Sequence, residues 1–120
     1  MKALVIDDSR AMRCILKAAL AELGHQVTEA ADGAQGLEAL RTSGPFDFAL
    51  VDWNMPVLNG FDFVQKTRAD RAYDGMKIVM VTTEVETSQV CKALEAGANE
   101  YVMKPFTRDV LRDKLQMLAA

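Results

Sequence analysis

The sequence alternates five times between a short run of strand-forming residues and a longer segment whose apolar residues recur at helical spacing. The short runs predict strands at 3–6, 26–30, 46–51, 78–81 and 100–103, with a helix after each. Such alternation favours an α/β fold, a doubly wound five-stranded parallel sheet with helices on both faces. This fold is favoured over a barrel, because eight strand–helix units need about 250 residues and the chain has 120.

The polarity of the strands predicts their places in the sheet. The second strand alternates polar and apolar residues and is predicted at an edge, whereas the first, third and fourth strands are apolar throughout and are predicted inside. Gly24 is predicted to end the first helix, and Thr107 to cap the last one. Gly33, Gly60 and Gly97 are predicted to lie in turns.

Composition excludes several classes of protein. The formal charge of −3 gives no basic surface for nucleic acid, and no apolar run approaches the roughly 18 residues of a membrane span. No signal peptide opens the chain, and no linker divides it, so we expect one domain in the cytoplasm. Cys14 and Cys91 are too few for a disulfide framework and are predicted to be buried, reduced thiols.

Polar residues follow the ends of four predicted strands. Asp7 and Asp8 follow the first strand, Asp52 the third, Thr82 the fourth and Lys104 the fifth. An acid such as Asp8 is often only a helix cap, and a lysine at a strand end is usually solvated. However, the carboxyl ends of parallel strands meet at one edge, where open α/β sheets bind ligands. We therefore expect all five side chains to converge.

Three carboxylates at one edge need a counter-charge. At about 4 Å and an effective dielectric constant of about 20, each pair repels by roughly 4 kcal/mol. Oxygen ligands without histidine or cysteine select a hard ion, and Mg²⁺ suits a site with few carboxylates and bound phosphate oxygens. An aspartate can also attack phosphorus and form an acyl phosphate. The residues thus suggest Mg²⁺-dependent phosphoryl transfer onto an aspartate.

These residues belong to a larger set of motifs. The set resembles the receiver domain of two-component response regulators across the whole chain, and it consists of Asp7-Asp8, Val51-Asp52-Trp53-Asn54-Met55-Pro56, Gly60, Val81-Thr82 and Lys104-Pro105-Phe106. The resemblance implies a flavodoxin-like (βα)5 fold with strand order 2-1-3-4-5. It also implies that residues 1–120 form a single receiver domain.

The resemblance implies a phosphoacceptor and a metal site. Asp52 would accept the phosphoryl group. Asp8, Asp52 and the backbone carbonyl of Asn54 would ligate Mg²⁺, and Asp7 would hold a metal-bound water. The Lys104-Pro105 peptide bond would be cis.

The resemblance also assigns roles around the phosphoryl group. Lys104 and Thr82 would bind its oxygens as catalytic groups, and Thr82 and Tyr101 would move as a switch. Asn54 and Glu84 would tune the rate of dephosphorylation.

The implied function is signalling rather than classical enzymology. A sensor histidine kinase would phosphorylate the chain, which would catalyse its own phosphorylation and dephosphorylation. The surface of helix 4, strand 5 and helix 5 would then bind a downstream protein, in chemotaxis or a related pathway. A phosphatase is a further expected partner, and we expect a monomer that contacts neither nucleic acid nor membrane.

Three alternatives remain open. The chain could be the receiver fragment of a larger regulator with a separate output domain. It could be a Mg²⁺-dependent phosphohydrolase with an aspartyl nucleophile, although such enzymes carry a second aspartate where this chain has Asn54. A flavodoxin-like cofactor binder would need a small-residue phosphate loop after the first strand, where this chain has Asp-Asp-Ser-Arg.

Overall fold

The computed structural model describes residues 1–53, 57–82, 87–104 and 106–119. Five strands alternate with five α-helices, as the sequence predicts, and a short 3-10 helix at Arg71–Tyr73 precedes the fourth strand. The elements are β1 (Lys2–Ile6), α1 (Arg10–Glu22), β2 (Gln26–Ala30), α2 (Gly33–Ser43), β3 (Phe48–Asp52), α3 (Gly60–Arg68), β4 (Lys77–Thr82), α4 (Thr87–Ala96), β5 (Glu100–Met103) and α5 (Arg108–Ala119).

The strands form one parallel sheet in the order β2-β1-β3-β4-β5. The predicted doubly wound α/β sheet and its strand order are confirmed. The edge position of β2 and the interior positions of β1, β3 and β4 are confirmed as well. This order brings the carboxyl ends of β1 and β3 side by side, with the ends of β4 and β5 following at the same edge.

The sheet separates two hydrophobic cores. Leu4 and Ile6 of β1 face one core, which contains buried residues of α2, α3 and α4. Ala3 and Val5 of the same strand face the other core, to which α1 and α5 contribute. Because successive strand residues point to opposite faces, a strand that is apolar throughout can pack both helical layers at once.

Polar side chains fix the starts of four helices. Asp32, Asn59 and Ser9 each accept a hydrogen bond from a backbone amide of the first turn that follows. Thr107 Oγ1 accepts from the Val110 amide at 3.1 Å, which confirms the predicted cap of α5. Each such cap stabilises its helix by about 1 kcal/mol.

Two of the three predicted glycine turns are wrong. Gly97 lies after α4 with φ +122°, as a turn glycine should, but Gly33 and Gly60 are the first residues of α2 and α3. A Cβ on Gly60 would lie 2.4 Å from the Asp52 carbonyl oxygen. Gly60 therefore allows α3 to start directly against the end of β3.

The prediction of buried thiols is also wrong, because Cys14 and Cys91 are both exposed. Each lies two residues from a buried position of its helix, Leu16 in α1 and Ala93 in α4. A step of two residues turns a helix by roughly 200°, so the phase of the helix overrides the usual burial of cysteine. In the part of the chain that the structure describes, no helix has the length and hydropathy to cross a bilayer.

Candidate functional site

Three carboxylates and one ammonium group meet at the carboxyl edge of the sheet. Asp7 and Asp8 follow β1, Asp52 ends β3 and Lys104 follows β5. One carboxylate oxygen from each aspartate lies within 4.8 Å of the other two. Lys104 Nζ donates to Asp7 Oδ2 at 3.0 Å and lies 3.7 Å from Asp52 Oδ1. The structure thus brings together four of the five strand-end side chains that the sequence indicates.

The four side chains differ in their access to water. Asp7 is 1% exposed, while the side chains of Lys104 and Asp52 are 11% and 12% exposed. Asp8 is exposed. Burial strengthens the interactions among the first three, because little water screens them. Among the described residues, the cluster has three carboxylates and one ammonium group, which contacts two of them, so the cluster carries an excess of negative charge.

Three groups of Asp7, its amide, its carboxylate and its carbonyl oxygen, take part in hydrogen bonds. Its amide donates to the Ala30 carbonyl oxygen at 3.1 Å, and its Oδ1 accepts from the Ser9 amide at 2.9 Å. Its carbonyl oxygen accepts from an Arg13 guanidinium nitrogen at 2.6 Å. The sequence pattern missed Arg13, because its partner is a main-chain carbonyl that no residue type marks.

The chain after Asp52 is tied to β4 and α3. The Trp53 amide donates to the Val81 carbonyl oxygen at 3.3 Å, and the Gly60 amide donates to the Trp53 carbonyl oxygen at 3.1 Å. Trp53 is half-buried and packs against the core next to α3. Val57, 84% exposed in the same loop, has φ +68°, a conformation that strains a β-branched residue.

Four of the residues named by the sequence analysis lie wholly or partly outside the described residues. Thr82 is the last residue of β4 and pairs in register with Met103, so its backbone lies at the same edge, but its side chain lies outside the described part. Asn54, Glu84 and Pro105 also lie outside the described residues, so the roles and the cis bond expected there stay predictions.

Tyr101 lies on β5 and is half-buried. Its amide donates to Glu100 Oε1 at 3.0 Å, and Lys114 Nζ lies 5.3 Å from the centre of its ring. Lys114 also pairs with Glu100 at 3.3 Å. Two neighbouring groups, the Glu100 carboxylate and the Lys114 ammonium group, therefore contact the residue that the resemblance assigns to the switch.

The donor set of the acidic cluster fits a hard divalent cation. All three groups are carboxylates, and His25, the only histidine in the sequence, lies directly before β2. Mg²⁺ binds through one or two carboxylates and keeps several waters, so an exposed Asp8 beside a partly buried Asp52 suits it. The residues present therefore fit the expected ion.

Comparison with known proteins agrees with the resemblance to receiver domains. The family model of the response regulator receiver domain matches residues 3–116. The chain is 46% identical to a chemotaxis protein CheY homolog of Campylobacter jejuni over 97% of this chain and 90% of that protein. It is 44% identical to chemotaxis protein CheY1 of Helicobacter pylori over 98% of this chain and 96% of that one.

Solved structures agree with these relatives. The Vibrio cholerae chemotaxis protein CheY4 superposes with a TM-score of 0.92 at 34% identity, covering 98% of this chain and 97% of that one. The receiver domain of a Pseudomonas aeruginosa sensor histidine kinase superposes with a TM-score of 0.89 at 29% identity, covering 99% and 98%. That structure is described with a magnesium ion coordinated in its active site cleft. Given its fold, its acidic edge and these matches, the chain belongs to the receiver domains of two-component response regulators, a family of signalling proteins rather than classical enzymes.

Proposed function

We propose that this receiver is phosphorylated on Asp52 by a histidine kinase in a Mg²⁺-dependent reaction and signals by binding a partner protein. The single observation that carries the proposal is the setting of Asp52. Its carboxylate is 12% exposed, shares an edge with Asp7 and Asp8, and lies 3.7 Å from Lys104 Nζ. This combines an accessible nucleophile with a site for a cation and a fixed positive charge for a phosphate.

Asp8, Asp52 and the backbone carbonyl of Asn54 would hold the Mg²⁺, and Asp7 would contact it through a water. When bound, the ion neutralises charge on the phosphoryl oxygens during transfer. These different roles of Asp7 and Asp8 agree with their exposure, since Asp7 is 1% exposed and already pairs with Lys104. Asp8 is exposed and has access to an ion from solvent.

In the forward step, an oxygen of the Asp52 carboxylate attacks the phosphorus of a phosphohistidine. The new bond is O–P, the P–N bond breaks, and the imidazole leaves with the electron pair and takes up a proton. Lys104 and the Thr82 hydroxyl bind the phosphoryl oxygens. Lys104 already lies between Asp7 and Asp52, so a small shift of its Nζ serves this role.

In the second step, water attacks the phosphorus of the aspartyl phosphate, so that a new O–P bond forms and the P–O bond to Asp52 breaks. Orthophosphate leaves and the carboxylate of Asp52 is restored. Asn54 and Glu84 would set the rate of this hydrolysis through the access of that water. The receiver would therefore catalyse its own dephosphorylation, with a phosphatase as an additional partner.

The signal would pass from the phosphoryl group to the surface of α4, β5 and α5. The modification replaces the Asp52 carboxylate, of charge −1, by an acyl phosphate of charge about −1.5 to −2 at the end of β3. Thr82 would move toward it and Tyr101 would turn inward. Exposed apolar side chains offer a partner surface there, namely Met103, Val110 and Met117. We expect a monomer whose downstream partner acts in chemotaxis or a related pathway.

We propose that residues 1–120 form a single receiver domain. A receiver that forms part of a larger regulator would have the same site, so the chemistry above holds in either case. The phosphohydrolase alternative differs in its kinetics, because it would turn over a phosphate ester continuously with a kcat of about 1–10³ s⁻¹.

The test uses Trp53, the only tryptophan, which follows Asp52 directly. We expect Mg²⁺ to change its fluorescence, and acetyl phosphate to change it further. Asp52→Asn should abolish the second response. Asp47→Asn is the matched control, because it removes the same charge just before the start of β3, and it should respond like the wild type.

Two outcomes would contradict the proposal. One is a response to acetyl phosphate that survives in Asp52→Asn. The other is continuous release of phosphate from an ordinary phosphate ester, which would favour the hydrolase.

A further inference from the structure

Arg13 makes a direct contact with the acidic edge. Neither its position in the sequence nor its charge predicts this contact. It lies in the first turns of α1, and its side chain is 17% exposed. We propose that Arg13 is a positioning residue that fixes the Asp7-Asp8 turn for cation binding and is itself held by Glu29. This inference rests on the proposed function of the acidic cluster as a Mg²⁺ site.

The contact acts on the peptide that joins the two aspartates. A guanidinium nitrogen of Arg13 donates to the Asp7 carbonyl oxygen at 2.6 Å, and that oxygen belongs to the peptide between Asp7 and Asp8. Rotation of this peptide changes the direction of the Asp8 side chain relative to that of Asp7. By holding the carbonyl, Arg13 holds the angle between two carboxylates of the cluster.

Asp7 is held at two other groups, its amide and its carboxylate. Neither contact fixes the rotation of the peptide between Asp7 and Asp8. Its amide is bound to Ala30 and its carboxylate to the Ser9 amide and Lys104. Asp8 is exposed, so packing does not fix its direction. The Arg13 bond therefore completes a turn in which both carboxylates have defined directions before a cation arrives.

Glu29 on β2 holds the guanidinium from its other side. Its Oε1 lies 3.5 Å from Arg13 Nε, and its Oε2 lies 3.6 Å from Lys17 Nζ. The carboxylate orients Arg13 and neutralises a positive charge that would otherwise oppose a divalent cation nearby. Lys17 shares Glu29 with Arg13 but makes no contact with Asp7 among the described residues.

The two explanations of Arg13 predict opposite changes in Mg²⁺ affinity when Arg13 is removed. If its charge alone matters, its removal takes away a cation near the site and strengthens Mg²⁺ binding. If it positions the turn, its removal weakens Mg²⁺ binding, as loss of groups that orient metal ligands usually does. A mutation that keeps the charge but loses the planar fork then weakens binding as well.

The experiment compares Mg²⁺ affinity, measured by calorimetry, in the wild type and three variants. Arg13→Met keeps the apolar stem and should weaken binding about tenfold. Arg13→Lys keeps the charge and should also weaken it, by a smaller factor. Lys17→Met, the matched control, removes a charge from the same Glu29. It should stay within about twofold of the wild type, because the hydrogen bond from Arg13 to the Asp7 carbonyl oxygen remains.

A second readout needs no metal. In the metal-free protein, the amide resonances of Asp8 and Ser9 should shift in Arg13→Met and stay in place in Lys17→Met. Urea unfolding shows whether each variant is folded at the temperature of the titration. Unchanged amide resonances in a folded Arg13→Met would overturn the positioning role.

The remaining outcomes separate this inference from the proposed function. Equal or tighter Mg²⁺ binding by Arg13→Met, with a wild type that binds Mg²⁺, would overturn the inference and leave the proposed function intact. Equal weakening in Arg13→Met and Lys17→Met would overturn it too, because only one of them contacts Asp7. A wild type that binds no Mg²⁺ would overturn the proposed function itself.

Discussion

Arg68 and Lys104, two cationic side chains with limited exposure, lie at opposite edges of the same sheet. Their hydrogen-bond partners differ in charge. Arg68, at the end of α3, donates among the described residues to four neutral oxygens at 2.7–2.9 Å, which belong to Gly97, Tyr73, Met76 and Asn99. Lys104, at the other edge, faces the carboxylates of Asp7 and Asp52. Arg68 is therefore the centre of a hydrogen-bond network at the amino edge, whereas the acidic cluster at the carboxyl edge has more negative than positive charge.

The Arg68 network connects loops at the amino edge. Asn99 Oδ1 accepts from Arg68 and also from the Ile78 amide at 2.9 Å, so one side chain joins α3, β4 and the start of β5. Burial lowers the pKa of Arg68 below its usual value, opposed by the nearby charge of Asp74. The contrast shows two uses of a charged side chain. A cation whose nitrogens all find acceptors stabilises the fold, whereas an acidic cluster with excess negative charge favours the binding of an external cation.

The largest expected effect comes from a substitution that breaks the Arg68 network. Arg68→Met should lower the free energy of unfolding by about 3 kcal/mol, because several oxygens lose charge-assisted donors at once. Urea unfolding measures the loss. The exposed Lys66→Met on the same helix is the control and should change stability by less than about 0.5 kcal/mol. Equal stability of the two variants would show that the network adds nothing.

A smaller effect concerns the loop beside the acidic edge. Val57→Gly should raise the free energy of unfolding by about 1 kcal/mol, because glycine adopts the observed φ of +68° without the left-handed penalty of a β-branched residue. Val57→Ala should give no comparable gain, since alanine retains the penalty. The same urea titration tests both, and a loss of stability in the glycine variant would argue against strain at this position.

Removal of one charge from the acidic cluster should stabilise the metal-free protein. Asp8→Asn should raise its free energy of unfolding by about 0.5 kcal/mol, a small gain because Asp8 is exposed and partly screened. Mg²⁺ should stabilise the wild type by about 1.4 kcal/mol at ten times its Kd, but not the variant. Thermal or urea unfolding with and without Mg²⁺ measures both terms, and equal stabilisation of the two proteins would remove Asp8 from the site.

The smallest effect lies at the amino edge, at His25. Burial lowers its pKa below 6.5, the amino terminus lowers it further, and Asp47 opposes both. The unfolded chain then binds a proton more readily than the folded one. Stability is therefore fully present above about pH 6.5 and falls as the pH drops through the lowered folded value. His25→Gln should flatten this part of the stability curve, and an unchanged slope would contradict the assignment.

Much of the fold could be predicted because it depends on the periodicity of apolar residues. The apolar β1 and the alternating β2 reveal their interior and edge places directly. The convergence of Asp7, Asp8, Asp52 and Lys104 follows from strand ends alone, since the topology brings them to one edge.

The remainder depends on geometry that residue types do not encode. Arg13 and Arg68 donate mainly to main-chain carbonyl oxygens, which every residue carries, so no pattern points to them. Gly60 is required by the approach of α3 to the Asp52 carbonyl, a distance that exists only in the folded chain. Cys14 is exposed because of the phase of α1, which a general tendency toward burial does not include.

The most direct test of the account is the mass of the protein after incubation with acetyl phosphate, with and without Mg²⁺. The account predicts a gain of one phosphoryl group that needs Mg²⁺, that maps to Asp52 after borohydride reduction of the acyl phosphate, and that is absent in Asp52→Asn. A wild type that gains no phosphoryl group, or gains it equally without Mg²⁺, would contradict the central claim that the acidic edge is a Mg²⁺-dependent phosphoacceptor site.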